Sequence, residues 1–255
     1  MHPLDYKGCI FNALREVECM NVVEQYNLTL QIEVLKEQSA ETLARLCNLV
    51  EESGTSDCIE VLKAYSHIVN TELYLATSIH ELDILKLDMV KLENTITESL
   101  AQASHDISDV KAVKETSDVQ AIESYNSEDF DKALERTIDF LTFNKNISST
   151  PRAVILGGQS GAGKTTIHRV KMLESKGNYI VIDGDTYRAQ HPYFRELQEK
   201  YGVASVDYTK MFAGKMVEAV IDKLSSLKYN LIIEGTLRSA AVPINTATLL
   251  KSKGY

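Results

Sequence analysis

Residues 153–165 read Ala-Val-Ile-Leu-Gly-Gly-Gln-Ser-Gly-Ala-Gly-Lys-Thr, and no other stretch of the chain restricts its fold so tightly. A short apolar run enters Gly158, four residues follow, and then come Gly163, Lys164 and Thr165. This is the complete G-x-x-x-x-G-K-[ST] pattern. Its glycines let the backbone turn so that successive N–H groups converge on phosphate oxygens. The helix opening near Lys164 adds the positive end of its dipole. Lys164 then supplies a charge for the terminal phosphates, and the Thr165 hydroxyl is placed to hold Mg²⁺. A strand, this loop and a helix in succession require a parallel α/β sheet behind them.

The rest of the second half fits that requirement. Apolar strands are expected at 153–157, 179–183 and 230–234, separated by helices from 164, near 193–201 and 208–227, and at 243–253. A helix over 128–142 precedes them, with Ser127 as its expected cap. Ligands of such sheets bind outside the carboxyl ends of the strands. That places Asp183 and Asp185, Glu234, Thr236 and Arg238 around the phosphate loop. A carboxylate there can take the proton of an acceptor hydroxyl, Glu234 can hold Mg²⁺ through water, and Arg238 can grip a phosphate or carboxylate. His168, on the helix after the loop, reads as structural.

The first half is of another kind. Residues 22–101 contain one glycine, Gly54, and no proline. Leu82, Leu85, Met89, Leu92 and Ile96 step by three and four, as a helix face does. Tyr26, Leu30, Ile32, Leu35, Leu43, Leu46 and Val50 mark an earlier helix and Ile59–Leu75 a middle one, with the break at Ser53-Gly54-Thr55-Ser56. The expected fold is an N-terminal all-α bundle over 1–101, a polar linker over 102–119, and a C-terminal α/β phosphate-loop domain over 120–255. His67 and His80 read as packed or solvated helical residues. All four cysteines, Cys9, Cys19, Cys47 and Cys58, lie in the bundle half without a C-x-x-C pair, which suits buried thiols in a reduced, cytoplasmic protein.

Charge is divided as well. Residues 1–118 hold 9 basic and 21 acidic residues, net −12, while residues 119–255 hold 18 and 15, net +3. Opposite signs predict that the halves touch. No basic stripe points to nucleic acid, and no apolar run is long enough for a membrane span. The sequence leaves the oligomeric state open.

The phosphate loop, Ile182-Asp-Gly-Asp-Thr-Tyr-Arg-Ala-Gln-His191-Pro192, Tyr208-Thr-Lys-Met-Phe-Ala-Gly-Lys-Met-Val-Glu218 and Ile233-Glu-Gly-Thr-Leu-Arg238 together resemble the zeta toxins of the PezT type. The resemblance covers roughly residues 120–255. It implies a bacterial kinase that phosphorylates the 3′-hydroxyl of the sugar of UDP-N-acetylglucosamine with ATP or GTP and Mg²⁺. On that resemblance Gly158, Gln159, Ser160, Gly161, Ala162, Gly163, Lys164, Thr165 and Thr166 bind the nucleotide, and Thr165 binds the metal. Lys164 and Asp185 are catalytic, Asp185 as general base. Glu218, Glu234, Thr236 and Arg238 bind the sugar nucleotide, a role that for Glu234 competes with the metal role read from strand position. The family continues beyond Lys253-Gly254-Tyr255 with two more strands and an arginine-bearing lid, so a truncated kinase domain of reduced competence is expected. Losing phosphate-clamping arginines costs about 10³–10⁵ in rate.

Residues 22–100 resemble the helical inhibitory part of PezA antitoxins, through Tyr26-Asn-Leu-Thr-Leu-Gln-Ile-Glu-Val-Leu-Lys-Glu37 and Leu43-Ala-Arg-Leu46. Together the resemblances imply an antitoxin and a toxin in one polypeptide, the kinase inhibited in cis by its own N-terminal domain. Two rival readings are a non-catalytic decoy that binds a separate toxin or nucleotide, and a phosphate-loop kinase for another small-molecule hydroxyl.

Overall fold

The computed structural model describes residues 22–53, 56, 58–106, 124–158, 162–235 and 239–255. Helix α1 (Val22–Ser53) is followed by α2 (Ile59–His67), a π-helical turn (Ile68–Glu72), one further helical turn (Leu73–Leu75) and α3 (Ile79–Asp106). Then come α4 (Ser127–Thr142), β1 (Ala153–Gly157), α5 (Lys164–Glu174), β2 (Ile180–Asp183), α6 (Phe194–Tyr201), α7 (Ser205–Ser226), β3 (Leu231–Gly235) and α8 (Ala241–Ser252). A 3₁₀ stretch, Gly184–Gln190, links β2 to α6, and another, Gly202–Ala204, links α6 to α7.

The expected middle helix is therefore not one helix. Within the widened turn the Asn70 amide donates to the Ser66 carbonyl at 2.9 Å and to the Ser66 hydroxyl at 3.0 Å. A side chain inserted into the backbone ladder is a standard cause of such a bulge. The chain leaves helix at Ala76, and α3 restarts on a capping box. Ser78 Oγ accepts from the Glu81 N–H at 3.2 Å, and the Glu81 carboxylate accepts from Thr77 N–H at 2.6 Å. The cap of α4 is Asn126, not Ser127: its side-chain oxygen accepts from Asp129 N–H at 2.8 Å.

The three strands are parallel in the order β1-β3-β2. Alternation along them sorts the core into two layers. Ile180, Ile182, Leu231 and Ile233, with Ala153 and Ile155, face α4, α7 and α8 through Ala133, Phe212, Met216, Val220, Leu224 and Leu250. Val181, Ile232 and Leu156, with Val154, face the other way, into one continuous cluster with Met172 of α5 and Leu28, Ile32, Leu62, Tyr65, Leu73, Tyr74, Leu82, Met89 and Ile96 of the bundle. A parallel sheet needs both faces covered. Here the bundle supplies part of one cover, and the two halves share a core.

Some bundle positions differ from the expected core face. Leu28 and Ile32 are fully buried, whereas Tyr26 and Leu30 are exposed. Cys47 and Cys58 are buried and free, and burial pushes the Cys47 thiol up to about 12. Cys9 and Cys19 lie outside the described residues. No helix among the described residues is long and apolar enough to cross a membrane.

Candidate active site

The phosphate loop leaves β1 at Gly157 and closes into α5 at Lys164. Gly158 adopts φ 155°, and a Cβ there would stand 3.0 Å from the Ala162 Cβ. Gly163, at the N-cap of α5, takes φ 79° in the left-handed region. Both positions demand glycine. The Gly158 N–H donates to the Gly235 carbonyl at 3.3 Å, tying the loop to the end of β3. Gln159, Ser160 and Gly161 lie outside the described residues, as do Thr236 and Arg238.

Lys164 Nζ donates to the Gly158 carbonyl at 3.0 Å and lies 3.3 Å from a Glu234 carboxylate oxygen. Thr165, the second residue of α5, is buried at the same corner, and Thr166 N–H donates to Gly163 O at 3.1 Å. Asp183 and Glu234 are register partners on β2 and β3, so two carboxyl groups stand side by side at the strand ends. Burial, followed by the Asp183 charge, holds the Glu234 carboxyl above its ordinary value, against Lys36 and Lys164. The buried imidazole of His168 places Nε2 3.2 Å from Glu234, off the line of a hydrogen bond. Burial pushes its pKa down to about 3, with Lys36 acting in the same direction, so the ring is neutral. His168 thus belongs to the site rather than only to the core.

Asp185 is the second residue of the 3₁₀ stretch after β2, its N–H bonded to Asp183 Oδ1 at 3.1 Å. Its side chain is 80% exposed, and Oδ1 accepts from Arg188 Nε at 3.1 Å. Arg188 also donates to the Val206 carbonyl at 3.1 Å, joining this loop to the first turn of α7. Glu218 lies on the exposed side of α7. Its neighbour Val217 packs against Gly184, where a Cβ would meet Val217 Cγ2 at 3.1 Å. The structure therefore gathers Lys164, Thr165, Asp183, Glu234 and His168 into one corner. Asp185 is exposed beside it, and Glu218 is exposed on α7.

The bundle reaches the same corner. Lys36 of α1, with its side chain 12% exposed, brings Nζ to 3.4 Å from Asp183 Oδ2. Burial alone would lower its pKa. The Tyr74 hydroxyl and the charges of Asp183 and Glu234 outweigh that and raise it, so the ammonium stays charged. Lys36 Nζ also lies 5.5 Å from the Tyr74 ring centroid, and the Tyr74 and His168 rings meet edge to face at 5.5 Å. One turn along α5, Arg169 donates to Thr29 Oγ1 at 2.9 Å and to the Ala76 carbonyl at 2.8 Å. Farther off, Arg136 of α4 pairs with Glu51 of α1 and donates to Gln190 at 2.6 Å. Lys36, Tyr74, Arg169 and Arg188 were not singled out from sequence. Lys36, Tyr74 and Arg169 act through partners distant in the chain, which leave no local pattern, while Arg188 joins its near neighbour Asp185 to the Val206 carbonyl.

Chemically, the corner offers a fixed ammonium, a hydroxyl at a helix N-terminus and paired carboxyl groups. Those hard oxygen donors suit Mg²⁺. A cradle of this kind serves phosphoryl transfer.

The zeta toxin family model matches residues 135–255, and the bacterial epsilon antitoxin model matches residues 24–99. The toxin PezT of Streptococcus pneumoniae is 59% identical over 134 residues, covering 52% of this chain and 53% of that protein. A zeta toxin of Streptococcus agalactiae is 41% identical over 134 residues, covering 52% and 47%. One of Enterococcus hirae is 44% identical over 126 residues, covering 49% and 44%. The chain thus spans about half the length of the curated relatives it matches. A solved structure from the PezAT chromosomal toxin-antitoxin system of S. pneumoniae aligns with TM-score 0.52 at 59% identity, over 52% of this chain and 56% of that one.

Proposed function

From a chain that joins an epsilon antitoxin domain to a zeta toxin domain, we propose a self-inhibited kinase whose acceptor is the sugar 3′-hydroxyl of UDP-N-acetylglucosamine. The donor is ATP or GTP with Mg²⁺, and the compartment is the bacterial cytoplasm. Lys164 and the loop N–H groups bind the transferring phosphates, and Thr165 holds the metal. Bound there, Mg²⁺ would neutralise charge on the phosphate oxygens. Glu218, Glu234, Thr236 and Arg238 orient the sugar nucleotide. The acceptor oxygen attacks the terminal phosphorus, its proton passes to a carboxylate oxygen of Asp185, and the nucleoside diphosphate leaves. In the resting chain Asp185 is engaged by Arg188, so substrate must share or displace that contact.

The observation that carries self-inhibition is the Lys36–Asp183 pair. An antitoxin-domain ammonium lies among the carboxyl groups beside the phosphate loop, where the nucleotide and its metal would need room. The test is titration calorimetry with ATP–Mg²⁺ on the whole chain. Binding should tighten at least about tenfold in Lys36→Met/Arg169→Ala, and Lys164→Ala should abolish it in that background. Mass spectrometry of UDP-N-acetylglucosamine after incubation with the released variant should show one added phosphate, lost in Asp185→Ala. Phosphate on a nucleoside instead would reassign the substrate.

A further inference from the structure

Helix α5 is gripped by the bundle at its far end as well, away from the phosphates. Past Glu174 the chain turns through Lys176 and Gly177, at φ 52° and φ 82°, and Gly177 N–H donates to Met172 O at 2.8 Å. Against the bare Cα of Gly177 lies the buried Thr71 of the π-helical turn. A Cβ at 177 would stand 2.9 Å from Thr71 Cγ2 and 3.4 Å from Leu75 Cδ1. Lys145, just beyond α4, clamps both sides of this contact. Its Nζ donates to Thr71 Oγ1 at 2.7 Å and to the Gly177 carbonyl at 2.5 Å. The loop is held from behind, where Asn178 Oδ1 accepts from Asn146 N–H at 2.8 Å and Asn230 Nδ2 donates to the Asn178 carbonyl at 3.1 Å. Gly177 therefore cannot retreat from a larger neighbour.

We propose that Gly177 and Lys145 form a specificity-determining socket on the toxin domain. It accepts a helical antitoxin domain whose widened turn presents a small hydroxyl side chain, here Thr71, and rejects one that presents a bulkier residue. The methyl of Thr71 fills the space a Cβ would need, and its hydroxyl receives the Lys145 ammonium. The socket rests on the pairing of the two domains and on no property of the kinase, so it stands or falls independently of the substrate.

A double-mutant cycle on the whole chain tests it, read by amide hydrogen exchange of residues 68–76. Gly177→Ala should speed that exchange by about tenfold, the size expected of two side chains in direct conflict. Part of this is strain of alanine in the left-handed region, which is common to both arms of the cycle. Adding Thr71→Ser removes Cγ2 and keeps the hydroxyl, and should return exchange to within about threefold of its Thr71→Ser reference. Thr71→Val keeps the methyl and should not rescue. Equal exchange in Gly177→Ala with and without Thr71→Ser would overturn the socket, as would no change in Gly177→Ala. If Gly177→Ala does not fold, Thr71→Leu decides with the native glycine in place: faster exchange of the segment supports the socket, and wild-type exchange overturns it.

Discussion

Lys36 links the two halves through a single ammonium. Removing it as Lys36→Met leaves Asp183, 20% exposed, and the buried side of Glu234 without that cation. A buried polar group stripped of its partner costs about 1–3 kcal/mol. The expected outcome is a lower urea midpoint, with most of the loss restored by Lys36→Arg. His168 makes the same corner acid-sensitive. Unfolded, it takes up a proton near its ordinary pKa of 6.5, but folded only near 3. The unfolded state therefore binds more protons between those values. Stability is complete above the upper one and falls as pH drops toward the lower, by about 1.4 kcal/mol per pH unit for a full proton. His191, pushed down to about 4 by burial, adds a like contribution. Urea midpoints of wild type and His168→Leu between about pH 6.5 and 4 should diverge, the variant losing less stability on acidification. Lys164 and its loop were legible because the phosphate cradle is written in consecutive positions, and Asp183 and Glu234 because they end apolar strands. Lys36 and Asp183 are separated by 147 positions, and no local spacing announces such a pair.

At the scale of elements, strands and most helices followed from period and punctuation. The one cap read from sequence, at α4, is instructive. Asn126 and Ser127 are both good caps, and the structure uses the earlier one. Asn126→Ala should destabilise by about 1 kcal/mol and Ser127→Ala by only a few tenths, measured as urea midpoints. The π-helical turn was not legible, because apolar spacing over 59–75 fits a continuous helix within the tolerance of the pattern. What separates the two is where the Asn70 amide bonds, within a turn whose Val69 and Thr71 are buried. Strand order was likewise silent: alternation announces a parallel sheet but not that β3 runs between β1 and β2.

For the whole molecule, the sequence charge balance led to the right contact by an incomplete route. The halves do touch, and the Arg136–Glu51 pair has the expected polarity. The Lys36–Asp183 pair has the reverse, with the cation coming from the acidic half. The shared core of Leu156, Met172, Tyr179, Val181 and Ile232 with bundle residues provides the larger attraction, and apolar burial is not screened by salt. A protease cut within residues 107–123 should therefore leave two fragments that elute together on gel filtration, at low salt and at about 1 M alike. Separation at high salt alone would show that charge dominates.

The order β1-β3-β2 also has a consequence during synthesis. The ribosome releases the chain from its N-terminus, and domains fold as they emerge. The bundle is already out when β1 and β2 appear, and those two strands cannot join until β3, the later and central one, arrives between them. The cover thus exists before the sheet it covers. On that order of synthesis, the phosphate-loop corner takes shape beside a bundle whose chain, Lys36 included, has already emerged.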